Sequence, residues 1–155
     1  MVEKTTAFLG LGNPLKGDDA AGIHFVKKLK NDLEKENKDV FEKADFFIAG
    51  SDPLSFAFKI ANGNYKRVVL VDACIFEGEP GDVKIFSSND VLSQNFAMTT
   101  HNYDLGIFFK TLEKSNVEVF LIGILPKIIE ETDQLSDVVK NAYSSFKKKA
   151  LSLIL

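Results

Sequence analysis

The chain has 155 residues, with 19 basic and 22 acidic side chains, a net charge of −3 and a single cysteine, Cys74. That length suits one domain spanning residues 1–155, able to bury a sizeable core without staples. Interspersed charge of weakly negative sum argues against a nucleic-acid backbone as partner, and a lone cysteine fits a reducing, cytoplasmic setting without an intrachain disulfide.

The first predicted strand, roughly residues 6–12, is a short apolar run, far too brief for a signal sequence or a membrane span. It leads into Gly10-Leu11-Gly12-Asn13-Pro14-Leu15-Lys16-Gly17-Asp18-Asp19, where glycines at 10, 12 and 17 permit a tight turn with bare backbone. The next glycine after Gly12 comes two residues too late for a dinucleotide fingerprint, and Lys16 precedes Gly17, which breaks the phosphate-loop pattern. Two aspartates at this mouth would also repel phosphate.

Helix one is predicted from near Asp18, with Gly22, Phe25, Val26, Leu29 and Leu33 on its buried face and Lys27, Lys28 and Lys30 outward. At about 100° per residue Asp18 and Asp19 fall on the sheet-facing side and His24 falls with the lysines. Strand two is Asp45–Ile48 and strand three is Arg67–Asp72, whose continuous apolar run suits a central parallel strand with Asp72 at its carboxyl end. The run Val83–Phe86 follows too soon for a crossover helix and is expected to be antiparallel to strand three or its neighbour. A helix from about Asn102 buries Leu105, Phe108, Phe109 and Leu112, and one further turn back its inner face includes His101. Val117–Leu125 forms the last strand, stopped by Pro126. Leu135, Val138, Val139, Ala142, Phe146, Ala150 and Leu153 then mark one amphipathic helix packed on the core. The alternation gives an α/β sandwich.

Strands one and three are expected to flank the crevice where open α/β sheets bind ligands, bringing Asp19 and Asp72 together. With His101 they make an O/O/N set suited to a borderline divalent metal, and nickel, zinc, iron and manganese all fit that chemistry. Each member has a plainer explanation. An aspartate at a helix start is favoured by capping and by the dipole, at about 0.3–1 kcal/mol for the latter, so one of Asp18 and Asp19 needs no functional role. Asp72 can cap a turn, His101 can satisfy a local hydrogen bond, and Cys74 reads as a small core residue.

Gly10-x-Gly12-Asn13-x-Leu15-x-x-Asp18-Asp19-x-x-Gly22, then Val71-Asp72-Ala73, His101-Asn102 and Gly123-Ile124-Leu125-Pro126, resemble the hydrogenase maturation endopeptidases in content and order. The resemblance implies a hydrolase of aspartate- and metal-dependent type that removes the C-terminal extension from the large-subunit precursor of a nickel–iron hydrogenase after nickel insertion. It implies that Asp19, Asp72 and His101 are the metal-binding and catalytic residues, with nickel supplied by the substrate and no organic cofactor. The implied fold is a phosphorylase/hydrolase-like three-layer α/β/α sandwich whose five-stranded, mostly parallel sheet has the order 2-1-3-5-4, strand four antiparallel. The implied partner is the precursor, with neither nucleic acid nor membrane involved; the oligomeric state stays open, a monomer being compatible. The chain departs from the family pattern in having Ala20 where many members have glycine, Pro53 in the loop after strand two, and Asp19 where some members have the longer Glu.

Two other readings stand beside this one. Peptidyl-tRNA hydrolases also open with a strand followed by Gly-Leu-Gly-Asn-Pro, but their His-Asn pair comes soon after it, whereas His101-Asn102 lies far downstream. A non-cleaving, metal-dependent maturation chaperone would use the same residues. No serine or cysteine nucleophile stands out, a carboxylate base at Asp18 or Asp19 is chemically conceivable, and nickel is either a Lewis acid or only a docking point.

Overall fold

The computed structural model describes residues 3–92, 98–99 and 105–154. In chain order the elements are β1 (Thr6–Leu11), a 3-10 turn (Gly17–Ala20), α1 (Ala21–Glu36), α2 (Lys38–Phe41), β2 (Ala44–Gly50), α3 (Leu54–Ala61) and β3 (Arg67–Ile75). There follow β4 (Val83–Ser87), α4 (Ser88–Leu92), β5 (Met98–Thr99), α5 (Leu105–Glu113), β6 (Glu118–Ile124), α6 (Asp137–Lys140) and α7 (Tyr143–Ser152).

The sheet runs β2-β1-β3-β6-β4, with β5 paired antiparallel to β3 off that path. Since β5 is inserted before it, β6 is the fifth strand of the expected series, and the order is the 2-1-3-5-4 arrangement. β4 is antiparallel to β6, which resolves the choice between strand three and its neighbour in favour of the neighbour.

Burial on both faces explains the apolar runs. Ala7, Leu9 and Leu11 of β1, Val68, Leu70 and Cys74 of β3, and Val119 and Leu121 of β6 pack with α3 and α5 on one side. Phe8, Val69, Val71, Ile122 and Ile124 pack with α1 and α7 on the other. Alternation of period two thus divides each central strand between two helical layers, giving the three-layer sandwich.

Three expected boundaries change. β3 does not end at Asp72 but runs on through Ala73, Cys74 and Ile75, because β6 pairs as far as Ala73 and β5 takes Cys74 and Ile75. The final amphipathic stripe is split into α6 and α7, although Val139, Ala142, Phe146 and Ala150 do form one buried face. The α-helix near Asp18 begins instead as a 3-10 turn and becomes α-helical at Ala21. No helix among the described residues is long and apolar enough to cross a membrane.

Candidate functional site

The carboxyl edge of the sheet is assembled where α1 comes down on β1 and β3. Gly10 and Gly22 remove the side chains that would hold the layers apart, since a Cβ on Gly10 would lie 2.8 Å from the Gly22 carbonyl oxygen. The last β1–β3 pair is Gly10 with Val71, so Asp72 stands one residue beyond it, level with the end of β1. Asp72 has no solvent exposure. It shares the parity of Val68, Leu70 and Cys74, so it belongs to the sheet face that α5 covers. The Ala73 amide donates to its Oδ1 at 2.9 Å.

Asp19 reaches the same edge from the other layer. Gly12, at φ 139°, lets the chain turn beneath it, and a Cβ there would sit 2.2 Å from the Asp19 carbonyl oxygen. The 3-10 turn carrying Asp19 packs against β3. Asp19 is 2% exposed and its Oδ2 accepts the Asn13 amide at 3.2 Å. The Asn13 side chain in turn accepts the Leu15 amide, so the turn is braced from within.

Asp18 and Asp19 are both buried, as expected, but their carboxylates part company. The 3-10 winding advances about 120° per residue, so neighbouring side chains diverge more than they would on an α-helix. Asp18 Oδ2 accepts the amides of Lys127 and Ile128 at 2.9 and 2.8 Å and the Ser136 hydroxyl at 2.7 Å, while Oδ1 accepts the Ser136 amide at 2.7 Å. Hydrogen bonds to a charged group contribute about 1.5–3 kcal/mol each, against about 0.3–1 kcal/mol for a helix-dipole contact, so the distant segment, not the helix end, determines this carboxylate's position. Four donors from this one segment hold the Asp18 carboxylate in place.

His24 lies on the outer face of α1 with the lysines, as helical phase requires, and lines a cavity of about 510 Å³ with Lys27, Lys28, Asp133, Lys140 and Tyr143. Partial desolvation against the walls of that cavity holds its imidazole below the ordinary value, with Lys27 and Lys140 acting in the same direction and Asp133 against them. Cys74 is buried, and desolvation together with nearby Asp72 pushes its thiol well up, so it is a packing residue and not a nucleophile. His101 and Asn102 lie outside the described residues, and α5 is described from Leu105. Among the described residues no group of three His, Cys, Asp or Glu side chains is placed to hold a metal.

The sequence motif did not disclose the segment that meets Asp18. Its signal was weak, because three of the four donors are backbone amides.

Comparison with known proteins bears on this architecture. The Hydrogenase 3 maturation protease of Escherichia coli K12 is 30% identical over 143 residues, covering 90% of this chain and 86% of that protein. A crystal structure of the Hydrogenase 3 maturation protease superposes with a TM-score of 0.75 at 28% identity, over 93% of this chain and 87% of the other. The NiFe hydrogenase maturation protease HycI from Thermococcus kodakarensis KOD1 shares the fold, with a TM-score of 0.79 at 24% identity over 97% of this chain and 92% of that one. The family model described as hydrogenase maturation protease, HycI, matches residues 23–153, from within α1 to just past α7. Likeness of this extent sets aside the peptidyl-tRNA hydrolase reading, and the chain belongs to the hydrogenase maturation protease family.

Proposed function

We propose that this protein is an endopeptidase that removes the C-terminal extension of a nickel–iron hydrogenase large-subunit precursor once nickel has been inserted, acting in the cytoplasm on that precursor. In this reading Asp19, Asp72 and His101 complete the coordination of the nickel that the substrate carries. The observation that supports it most is the delivery of two buried carboxylates, Asp19 and Asp72, to one carboxyl edge from opposite helical layers. Two like charges withdrawn from water are costly, and a divalent cation arriving with the substrate offsets part of that cost. Carboxylate oxygens with an imidazole nitrogen suit nickel and leave coordination positions for the substrate's own ligands.

Docking through the metal makes specificity follow from nickel occupancy. A precursor lacking nickel offers the edge no cation, and its scissile peptide is not held there. Hydrolysis itself adds one water across the peptide bond, leaving a new carboxylate on the mature subunit and a new amine on the released extension.

The test is incubation of the purified protein with nickel-loaded and nickel-free precursor, read by mass. Shortening of the nickel-loaded form alone is the expected result. Equal cleavage of the nickel-free form refutes metal docking, and tight binding of the loaded form without a shortened product makes the protein a non-cleaving maturation chaperone. His101→Ala is expected to abolish nickel-dependent processing with the fold intact, and unchanged turnover removes it from the site.

A further inference from the structure

After β6 the chain passes Pro126 and returns along the outside of the turn that carries Asp19, forming a strap over residues 127–136. Both ends of the strap are tied to one carboxylate: Lys127 and Ile128 donate to Asp18 at its start, and the amide and hydroxyl of Ser136 donate at its finish. Between the ends, the Asp18 amide donates to the Ile128 carbonyl at 2.8 Å, the Gly17 amide to the Thr132 carbonyl at 2.8 Å, and the Thr132 amide to the Leu15 carbonyl at 3.1 Å. Gly17 adopts φ 56°, and a Cβ on it would lie 2.8 Å from the Ile128 carbonyl oxygen, so the strap is seated on bare backbone. Lys127, Ile129, Glu130 and Glu131 face solvent on the strap's outer side.

We propose that Asp18 is a positioning residue that closes this strap and through it fixes the turn holding Asp19, so that capture of the nickel-loaded precursor depends on the clamp while the hydrolytic step does not. The proposal rests on the reading of Asp19 as a nickel-docking group. Asp18 is fully buried, and its four named donors all come from the strap, so it acts only through the backbone it pins. Loosening the clamp lets the turn leave the geometry that accepts the metal. When the competent fraction falls, apparent affinity falls in proportion, while substrate that does bind restores the geometry and turns over normally. Loss of the clamp therefore raises KM and spares kcat.

Ser136 offers the cleanest test because its hydroxyl can be removed and restored without touching the carboxylate. Kinetics of the full chain on nickel-loaded precursor are measured for Ser136→Ala, Ser136→Thr, Asp18→Asn and Asp19→Ala, with the folded fraction followed by circular dichroism. Ser136→Ala is expected to raise KM roughly fivefold with kcat within about twofold of wild type, and Ser136→Thr to restore KM; Asp18→Asn is expected to raise KM by roughly tenfold or more. A purely structural role would reduce the folded fraction and leave KM unmoved. The proposal is overturned by a wild-type KM in Ser136→Ala, by a Ser136→Thr as impaired as Ser136→Ala, or by a fall in kcat without a change in KM. If Asp18→Asn does not fold, the Ser136 pair decides alone. Asp19→Ala separates the two levels: normal cleavage by it overturns the docking reading and the clamp with it, whereas an inactive Asp19→Ala beside wild-type KM in the Ser136 variants overturns the clamp only.

Discussion

Gly22 and Val71 meet with no room for a methyl group between them: a Cβ on Gly22 would lie 2.0 Å from the Val71 carbonyl oxygen and 2.5 Å from that of Leu11. This approach seats the start of α1 directly on the ends of β1 and β3. It therefore determines where the preceding 3-10 turn, and Asp19 within it, stands relative to Asp72.

Gly22→Ala is expected to destabilise the fold by about 3 kcal/mol, at the upper end of the cost of overpacking, because the atoms it meets are backbone carbonyls that cannot swing aside. Urea denaturation measures the loss. Cleavage of the precursor should fall by more than the folded fraction does, since the helix that lifts away takes with it the preceding turn that holds Asp19. A variant with wild-type stability would show that the layers have slack at this point.

Tyr143 donates to Asp32 at 2.7 Å, joining α7 to α1 across the back of the sandwich. That hydrogen bond is the leading cause of an Asp32 carboxyl held below its ordinary value, helped by Lys147, with desolvation opposing. A depressed carboxylate contributes stability that is present above its unfolded value and lost as the pH falls through the folded one. Tyr143→Phe is expected to cost about 1 kcal/mol at neutral pH, reduced from the usual worth of a charged hydrogen bond by partial solvent exposure, and to shift Asp32 back up in an NMR titration. An unmoved Asp32 would reassign the shift to Lys147.

The strands were legible because burial on both faces leaves an unbroken apolar run, as in Val68–Val71 and Val119–Ile122. The end of β3 is misplaced from sequence because Asp72 reads as a polar stop, although Ala73-Cys74-Ile75 continues the apolar pattern and propensity disfavours an acidic side chain inside a strand. β5, two residues long, carries no periodicity to read. Asp18 and Asp19 were indistinguishable as a pair, since the partners that separate them lie 109, 110 and 118 positions away and act largely through backbone amides, which every residue but proline possesses.

His24 gives a pH prediction distinct from the site. Its imidazole is held below the ordinary value of 6.5 chiefly by partial desolvation and by Lys27, so the fold favours the neutral form. The associated stability is fully present above about pH 6.5 and is lost as pH falls through the lower folded value. His24→Gln should therefore flatten the acid limb of a stability–pH curve below that point. Precursor cleavage at pH 7 should be unchanged, because the side chain stands on the outer face of α1. A large loss of cleavage would place α1 in a different rotational phase.

Cys74 distinguishes carboxylate chemistry from thiol chemistry. The side chain has no solvent exposure, and burial together with the neighbouring Asp72 raises its thiol well above the ordinary range, leaving almost no thiolate at neutral pH. Native protein treated with iodoacetamide should remain unlabelled by mass on a timescale that labels the urea-unfolded chain completely, and cleavage activity should survive the treatment. Gly123→Ala tests the same packing from the opposite strand: its Cβ would lie 3.0 Å from the Cys74 Cβ and 3.0 Å from the Phe86 ring, so displacing either is expected to cost about 1–3 kcal/mol. Faster alkylation of Cys74 in that variant than in wild type, at equal folded fraction, would tie thiol protection to this contact. Rapid labelling of the wild-type protein with loss of cleavage would instead return the thiol to the reaction.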